Sequence, residues 1–214
     1  WNSITGADFD QDGDTDYVIG NLGLNNGYNV SEDKPLRVFA KDLDNNGSTE
    51  ALLFCYTKMA DGTEQLCPVH FWDELNQQSP KFRRQFSKYK HFAKSTWETL
   101  LSEADKKDAY IVDVNYDASV YVENLGEGNF KIHQLPVEAQ LAPINGILAT
   151  DVNGDSWLDI VLVGNDFGNE VFSGRYDALT GVTLINNTQG AFKIAGVSSS
   201  GFYVPNDAKA LVQV

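Results

Sequence analysis

Three nine-residue acidic segments align without gaps along the 214-residue chain, and each precedes a short apolar run. They span 8–16, 42–50 and 151–159, and are called loop 1, loop 2 and loop 3 below. Each loop has Asp or Asn at positions 1, 3 and 5 and a carboxylate at position 9. The apolar runs that follow are typical of strands. The repeat therefore predicts an oxygen-rich turn between two strands, used three times.

The acidic residues are concentrated in these loops. Of the 30 Asp and Glu residues, 11 lie in the 27 loop residues, where uniform scatter would place about four. Carboxylates crowded into a short turn repel one another unless a cation lies among them. Alternating oxygen ligands favour Ca²⁺, and the absence of His and Cys from the loops argues against zinc or copper. The alternative is a set of metal-free turns in which Asx side chains cap their own backbone.

The loops differ from the EF-hand calcium loop at the position that closes the site. An EF-hand places a bidentate Glu at position 12, but that position holds Ile19, Leu53 and Leu162 in the three loops. The closing carboxylate comes at position 9 instead. A strand rather than a helix is therefore expected after each loop.

The loops resemble the calcium loops of the FG-GAP/VCBS repeat family, best known from the β-propeller heads of integrin α subunits. The family motif, Asp-x-Asp/Asn-x-Asp-Gly-x-x-Asp, lies between strands of a propeller blade. The resemblance implies about three Ca²⁺ ions, each held by side chains at positions 1, 3, 5 and 9 and by the carbonyl at position 7. The implied side-chain ligands are Asp8, Asp10, Asp12 and Asp16 in loop 1, Asp42, Asp44, Asn46 and Glu50 in loop 2, and Asp151, Asn153, Asp155 and Asp159 in loop 3. The implied carbonyl ligands are those of Asp14, Ser48 and Trp157. Glu50 and Ser156 depart from the motif, which has Asp and Gly at those positions.

The fold implied by the resemblance is all-β, with residues 1–214 forming a segment of one β-propeller. Residues 174–178 also resemble a segment of large secreted bacterial members that carry ASPIC/UnbV-type regions. The repeats supply about three to four blades, whereas propellers close with about four to eight. Residues 206–214 are expected to form a strand that leads to a further loop. We therefore expect the rest of a longer polypeptide, or another chain, to complete the propeller.

Three hairpins are predicted outside the loops, each with a Gly-containing turn. They pair 120–124 with 130–133, 183–186 with 192–194, and 52–57 with 63–69. In the last hairpin Cys55 and Cys67 are equidistant from Asp61, so they are expected to face each other across the strands. That geometry allows a disulfide and equally allows two small apolar thiols.

Residues 71–110 interrupt the β pattern and predict a helical hairpin inserted into the propeller. One helix is expected to begin at Pro80 and to bury Phe82, Phe86, Tyr89 and Phe92, and a second to bury Trp97, Leu100, Leu101 and Ala104. Basic residues cluster on the first helix. Four of them form a candidate surface for an acidic partner such as a uronic-acid glycan: Lys81, Arg84, Lys88 and Lys90. The alternative is a solvated basic face.

Charge and motifs narrow the function. A net charge of −14 argues against nucleic acid as a partner, and no apolar run reaches the ~20 residues that span a membrane. No common hydrolase, metalloprotease or nucleotide-binding motif is present. The sequence favours a non-catalytic, calcium-stabilised module for binding or adhesion to a protein or glycan, in an extracellular, periplasmic or cell-surface setting. The alternative is a lyase-like, calcium-containing propeller enzyme acting on acidic polysaccharide.

Overall fold

The computed structural model describes residues 1–169, 174–188 and 190–214, and it is mostly β. Twelve strands of these residues form three four-stranded antiparallel sheets. The strands are β1 (Ser3–Ala7), β2 (Asp16–Gly20), β3 (Leu36–Lys41), β4 (Glu50–Lys58), β5 (Glu64–Pro68), β6 (Tyr110–Val114), β7 (Val120–Asn124), β8 (Phe130–Gln134), β9 (Ile144–Thr150), β10 (Asp159–Gly164), β11 (Val182–Asn186) and β12 (Phe192–Ala195). The helices are α1 (Trp72–Gln78), α2 (Pro80–Gln85), α3 (Tyr89–Phe92), α4 (Trp97–Leu100), α5 (Glu103–Lys106) and α6 (Val197–Ser200). The sheet content confirms the all-β prediction at this level, and none of the described helices is long and apolar enough to cross a membrane.

The chain divides into two compact units, a division that the sequence analysis did not predict. The two-sheet unit comprises Trp1–Asn26 and Asp117–Val214, and the inserted unit comprises Gly27–Tyr116. Within the two-sheet unit the chain leaves and returns at one place. There the Asn26 side-chain amide donates to the Asp117 carboxylate over 2.7 Å, and the Gly23 N–H donates to the Asp117 carbonyl over 2.8 Å.

The two sheets of the two-sheet unit repeat one plan. Their strand orders are β1-β2-β7-β8 and β9-β10-β11-β12. Loop 1 joins the first two strands of one sheet, and loop 3 joins the first two strands of the other. The last two strands of each sheet are the predicted hairpins, with Tyr121 opposite His133 and Leu184 opposite Ile194. These two hairpin predictions are confirmed.

Apolar side chains from both sheets share one core. Val18, Tyr121, Ile160 and Leu184 are fully or almost fully buried there. Strand β10 is buried along its whole length, which explains the apolar run at 160–163. Strands β1 and β9 lie together, because the Ser3 and Thr5 hydroxyls donate to carbonyls of β9 over 2.8 and 3.1 Å.

The inserted unit packs short helices on one face of its sheet, whose order is β5-β4-β3-β6. The Trp97 ring makes edge contacts with Phe39 and Phe54, at centroid distances of 6.0 and 4.9 Å. Leu75 and Phe82 are buried in the same cluster. Every residue of β6 is exposed, although the strand is largely apolar.

The prediction of a helical hairpin is wrong. Five short helices lie between β5 and β6. The helices are interrupted because Ser79, Phe86 and Leu101 adopt extended backbone conformations. Phe82 and Phe92 still reach the same cluster, but from separate helices. Helices this short have little stability of their own, so tertiary packing decides where they break.

The strand predicted for residues 206–214 is also absent, since the described backbone there is irregular. The Ala208 N–H donates instead to the carbonyl of Gly164, at the end of β10. This bond holds the segment beside β10 without giving it a strand ladder.

The third predicted hairpin is confirmed with its register. Strands β4 and β5 pair so that Cys55 lies directly opposite Cys67. The predicted register is therefore confirmed, and both cysteines are free thiols in this structure. Burial, and then the neighbouring Cys55, raise the pKa of the Cys67 thiol.

The close approach of backbone at Gly164 gives a test of the two-sheet unit. A methyl group at this position would lie 1.8 Å from the Pro143 carbonyl oxygen, so the backbone would have to move. We expect Gly164→Ala to lower the free energy of unfolding of this unit by about 3 kcal/mol. Gly168→Ala is the matched control, because its methyl group would come no nearer than 3.6 Å to a neighbour. Urea unfolding curves measure both, and equal stability of the two variants would contradict the packing described here.

Candidate metal centres

Each acidic loop connects two antiparallel strands, as the sequence predicts. Loop 1 joins β1 to β2, loop 2 joins β3 to β4, and loop 3 joins β9 to β10. The position-9 acids Asp16, Glu50 and Asp159 are each the first residue of the strand that follows. These carboxylates therefore belong to a loop and to a sheet at once.

The three loops share one backbone shape. Positions 4 and 6 have positive φ angles in every loop. At position 4 they are 63° at Gln11, 60° at Asn45 and 81° at Gly154, and at position 6 they are 95° at Gly13, 87° at Gly47 and 73° at Ser156. Position 6 explains the glycine of the motif, because left-handed backbone suits glycine best. Ser156 adopts the same conformation at some cost in strain.

Side-chain oxygens in each loop hold this shape. The position-1 carboxylate accepts from the backbone N–H of position 6, over 3.2 Å at Gly13, 2.9 Å at Gly47 and 2.8 Å at Ser156. The position-5 side chain accepts from the N–H of position 7 in all three loops. These Asx-type bonds are those of the metal-free alternative. The same bonds also orient the side-chain oxygens at positions 1 and 5 of each loop.

Two position-9 carboxylates tie their loops to the third strand of the sheet. Asp16 accepts from the N–H groups of Phe9 and Asn124 over 3.2 and 2.8 Å. Asp159 accepts in the same way from Val152 and Asn186, over 2.9 and 2.8 Å. Both acids are fully buried.

Tyr121 adds a further bond to the buried Asp16. Its hydroxyl donates to the Asp16 carboxylate over 2.8 Å. Burial, and then this bond, raise the pKa of Tyr121 well above its ordinary value. The loop motif does not predict Tyr121 or the two asparagines as partners of the loops. The repeated Asn at the end of the third strand, Asn124 and Asn186, was the available signal.

Loops 1 and 2 each bring three carboxylates together. In loop 1 one oxygen from each of Asp8, Asp10 and Asp12 lies within 4.8 Å of the others. In loop 2 the same holds for Asp42, Asp44 and Glu50. Among the described residues loop 3 makes no such group of acids, because its position 3 is the amide Asn153, which donates to Asp155 over 2.8 Å.

Four buried carboxylate oxygens of loops 1 and 2 have no hydrogen-bond partner in the described part of the chain. They are Asp8 Oδ1, Asp14 Oδ1, Asp44 Oδ1 and Glu50 Oε1. Glu50 is the most telling, since its side chain is only 2% exposed. A buried charged oxygen without a partner is costly, and a cation would supply the missing partner.

Acids of loops 1 and 2 differ in the direction in which their pKa values are shifted. Burial raises the pKa of Asp10 and Asp14 in loop 1, and repulsion from Asp12 and Asp16 raises both further. The backbone N–H of Gly47, among others, lowers the pKa of the half-buried Asp42 in loop 2. Loop 1, the most acidic loop, therefore has carboxylates that oppose one another's ionisation.

The predicted basic surface is only partly brought together. Lys81 and Arg84 line a cavity of about 630 Å³ that residues 43–46 of loop 2 also line. Lys81 also pairs with Asp105. Lys88 and Lys90 are exposed at the start of α3.

The loop motif also does not predict Ser79 as a partner of loop 2. Ser79 is fully buried, and its hydroxyl donates to the Asp44 carboxylate over 2.7 Å.

The buried carboxylate of Asp16 yields a test that does not depend on metal. An Asn at this position would place an amide NH₂ group where a carboxylate oxygen now accepts hydrogen bonds. At least one backbone N–H that now bonds to Asp16 would then face another donor. We expect Asp16→Asn to lower the free energy of unfolding by about 3 kcal/mol in excess EGTA. Asp177→Asn, at an exposed position of the same unit, should change stability little. Denaturant titration of both variants decides the point, and a neutral Asp16→Asn would rule out the bridging role.

No protein-family model matches this chain, and neither a curated protein nor a solved structure shows significant similarity to it. The resemblance of the three loops to FG-GAP/VCBS repeats therefore stays a prediction from their residues.

Proposed function

We propose that this chain is a calcium-stabilised, non-catalytic β-propeller module that binds a protein or glycan outside the cytoplasm. The main observation behind the proposal concerns Glu50. This residue belongs to a carboxylate cluster with Asp42 and Asp44, and its buried Oε1 has no described partner. It supports a cation in loop 2, because no described protein donor satisfies that oxygen. Loop 1 adds one such oxygen from its own carboxylate cluster, that of Asp8.

The chemistry of the loops fits calcium. All clustered ligands are hard oxygens, and Ca²⁺ takes about six to eight of them with some geometric freedom. Asp8, Asp10 and Asp12 would hold one ion, and Asp42, Asp44 and Glu50 a second. Asp151, Asn153, Asp155 and Asp159 would hold a third. Bound calcium would supply charge neutralisation and cross-linking within each loop.

The position of the loops supports a structural role for the ions. Each loop joins two neighbouring strands, and its last acid already belongs to the second strand. An ion bound there would fasten the strand pair at one end. Neutralising the loop acids would also remove much of the self-repulsion in a chain of net charge −14.

The repeated sheets support assignment as propeller blades. Both sheets of the two-sheet unit have the same strand order, and the loop lies between the first two strands in each. Their first strands, β1 and β9, lie side by side and run in the same direction, since Ser3 and Thr5 bond to Ile144 and Ile147 in that order. The remaining blades would come from a longer polypeptide or from another chain. Calcium loops of modest affinity suit compartments in which the ion is abundant.

Chelation tests the structural role of calcium. At about 100 times its dissociation constant each ion would contribute roughly 2.7 kcal/mol, and three ions on the order of 8 kcal/mol. We expect excess EGTA to lower the melting temperature by many degrees and added calcium to restore it. Calorimetry with and without EGTA measures this, with magnesium as the control ion. An unchanged melting curve would contradict the proposal.

Two adjacent acids of loop 1 test the ligand assignment. Asp12 belongs to the carboxylate cluster, whereas Asp14 lies outside it and would contribute its backbone carbonyl. We expect Asp12→Ala to weaken calcium binding at loop 1 by at least about tenfold, and Asp14→Ala to weaken it much less. The two variants remove the same charge, so long-range electrostatics cannot separate them. Isothermal titration of each with calcium is the measurement, and equal losses would show that the assignment is wrong.

A further inference from the structure

The three loops differ in what holds the side chain at position 3. In loop 1 Asp10 accepts from the N–H of Asp12, and in loop 3 Asn153 accepts from the N–H of Asp155. Both partners lie inside their own loop. In loop 2 the side chain of Asp44 accepts instead from the hydroxyl of Ser79, which is 35 residues away in the sequence. Through Asp44, loop 2 is therefore bonded to the helical segment of its unit. The described bonds of Asp10 and Asn153 stay within their own loops.

Ser79 occupies the junction of two helices. Its N–H donates to the Leu75 carbonyl and ends α1, while its side-chain oxygen accepts from the N–H of Lys81 and caps α2. A hydroxyl has a single proton to donate, and here that proton goes to Asp44 Oδ2. Ser79 is fully buried, so water does not compete for this bond.

The bond leaves the other oxygen of Asp44 available. Asp44 Oδ1 is buried without a described partner, as is Glu50 Oε1, and both acids belong to the loop 2 cluster with Asp42. Because Glu50 is 98% buried and still lacks a partner for one oxygen, the cluster is more than a group of surface acids. Ser79 thus holds one oxygen of a carboxylate that belongs to the cluster, and the other oxygen of that carboxylate has no described partner.

We propose that Ser79 is a positioning residue for a calcium ion in loop 2 and that it couples occupancy of that loop to the stability of helix α2. The inference rests on the proposed calcium binding. An ion on Asp44 Oδ1 would hold the carboxylate in place, and the carboxylate would in turn hold the hydroxyl that caps α2. Partners that orient a metal ligand typically affect affinity by about 10- to 100-fold. The coupling is reciprocal, so a stable α2 also strengthens calcium binding.

The basic residues of α2 provide a local readout. Lys81, Arg83 and Arg84 are trypsin sites within this helix, and the enzyme cleaves them only when the helix opens. We expect calcium to slow cleavage at these sites in the full chain, as followed by mass spectrometry. In Ser79→Ala the calcium concentration that gives half-maximal protection should rise about tenfold.

Ser102→Ala is the matched control for helix capping. Ser102 also caps a short helix, α5, by accepting from the Asp105 N–H, but its side chain bonds to Asp105 rather than to a loop acid. This variant should keep the wild-type midpoint for protection at Arg83 and Arg84, and Lys81 is left out of the comparison because it pairs with Asp105. Equal midpoints for Ser79→Ala and the wild type would overturn the inference, and so would an equal shift in both serine variants.

A second pair of variants leaves α2 untouched, in case Ser79→Ala is cleaved at every calcium concentration. Asp42→Asn changes a proposed loop 2 ligand whose described hydrogen bonds go to Asn46 and Gly47, and Asp61→Asn makes the same change in an exposed turn of the inserted unit. We expect the first to abolish calcium-dependent protection of α2 and the second to retain it. Protection that survives Asp42→Asn would refute the coupling.

Calcium counting separates this inference from the proposed function. If Asp42→Asn lowers the number of ions bound per chain by one, loop 2 binds calcium. An absence of calcium protection at α2 would then defeat the coupling alone. If the number of bound ions does not change, the proposed calcium site in loop 2 fails, and the coupling fails with it.

Discussion

The buried carboxylates that close loops 1 and 3 make the interactions on which the sheets of the two-sheet unit depend. Asp16 and Asp159 lie at the first position of a strand, with no exposure to solvent, and each bonds to its own loop and to the third strand of its sheet. Several N–H and O–H donors around one charge offset the cost of burying it. Loop, second strand and third strand are thereby fixed by one side chain. In loop 2 the longer Glu50 bonds to the loop through one oxygen and leaves the other without a described partner.

The backbone of the loops is shaped by more than acidic side chains. Left-handed residues at positions 4 and 6 turn the N–H groups toward the carboxylates, and this holds even where Ser156 replaces glycine. Backbone conformation and hydrogen bonds within each loop therefore contribute to its shape together with the acidic side chains.

Much of this architecture could be predicted from local sequence patterns. The loops, the strands that follow them and the register of Cys55 with Cys67 depend on spacing over a few residues, and the structure confirms them. The helices between β5 and β6 could not be predicted in the same way. The aromatic spacing correctly predicts that Phe82 and Phe92 are buried, but Tyr89 is exposed, and the spacing does not predict the extended residue Phe86 that ends α2. Partners distant in sequence, such as Tyr121 for Asp16 and Ser79 for Asp44, were missed because no short-range pattern encodes them.

The place where the chain leaves and re-enters the two-sheet unit bears on how such a protein can change in evolution. Asn26 and Asp117 are hydrogen-bonded neighbours, so the ends of the intervening segment 27–116 already meet. Every strand pair of the two-sheet unit is formed by residues outside that segment. A recombination event that exchanged the segment for a short turn, or for a different domain, would leave that pairing scheme intact. The two-sheet unit can thus act as a host scaffold, and the inserted unit as a cassette that a lineage could gain, lose or diversify.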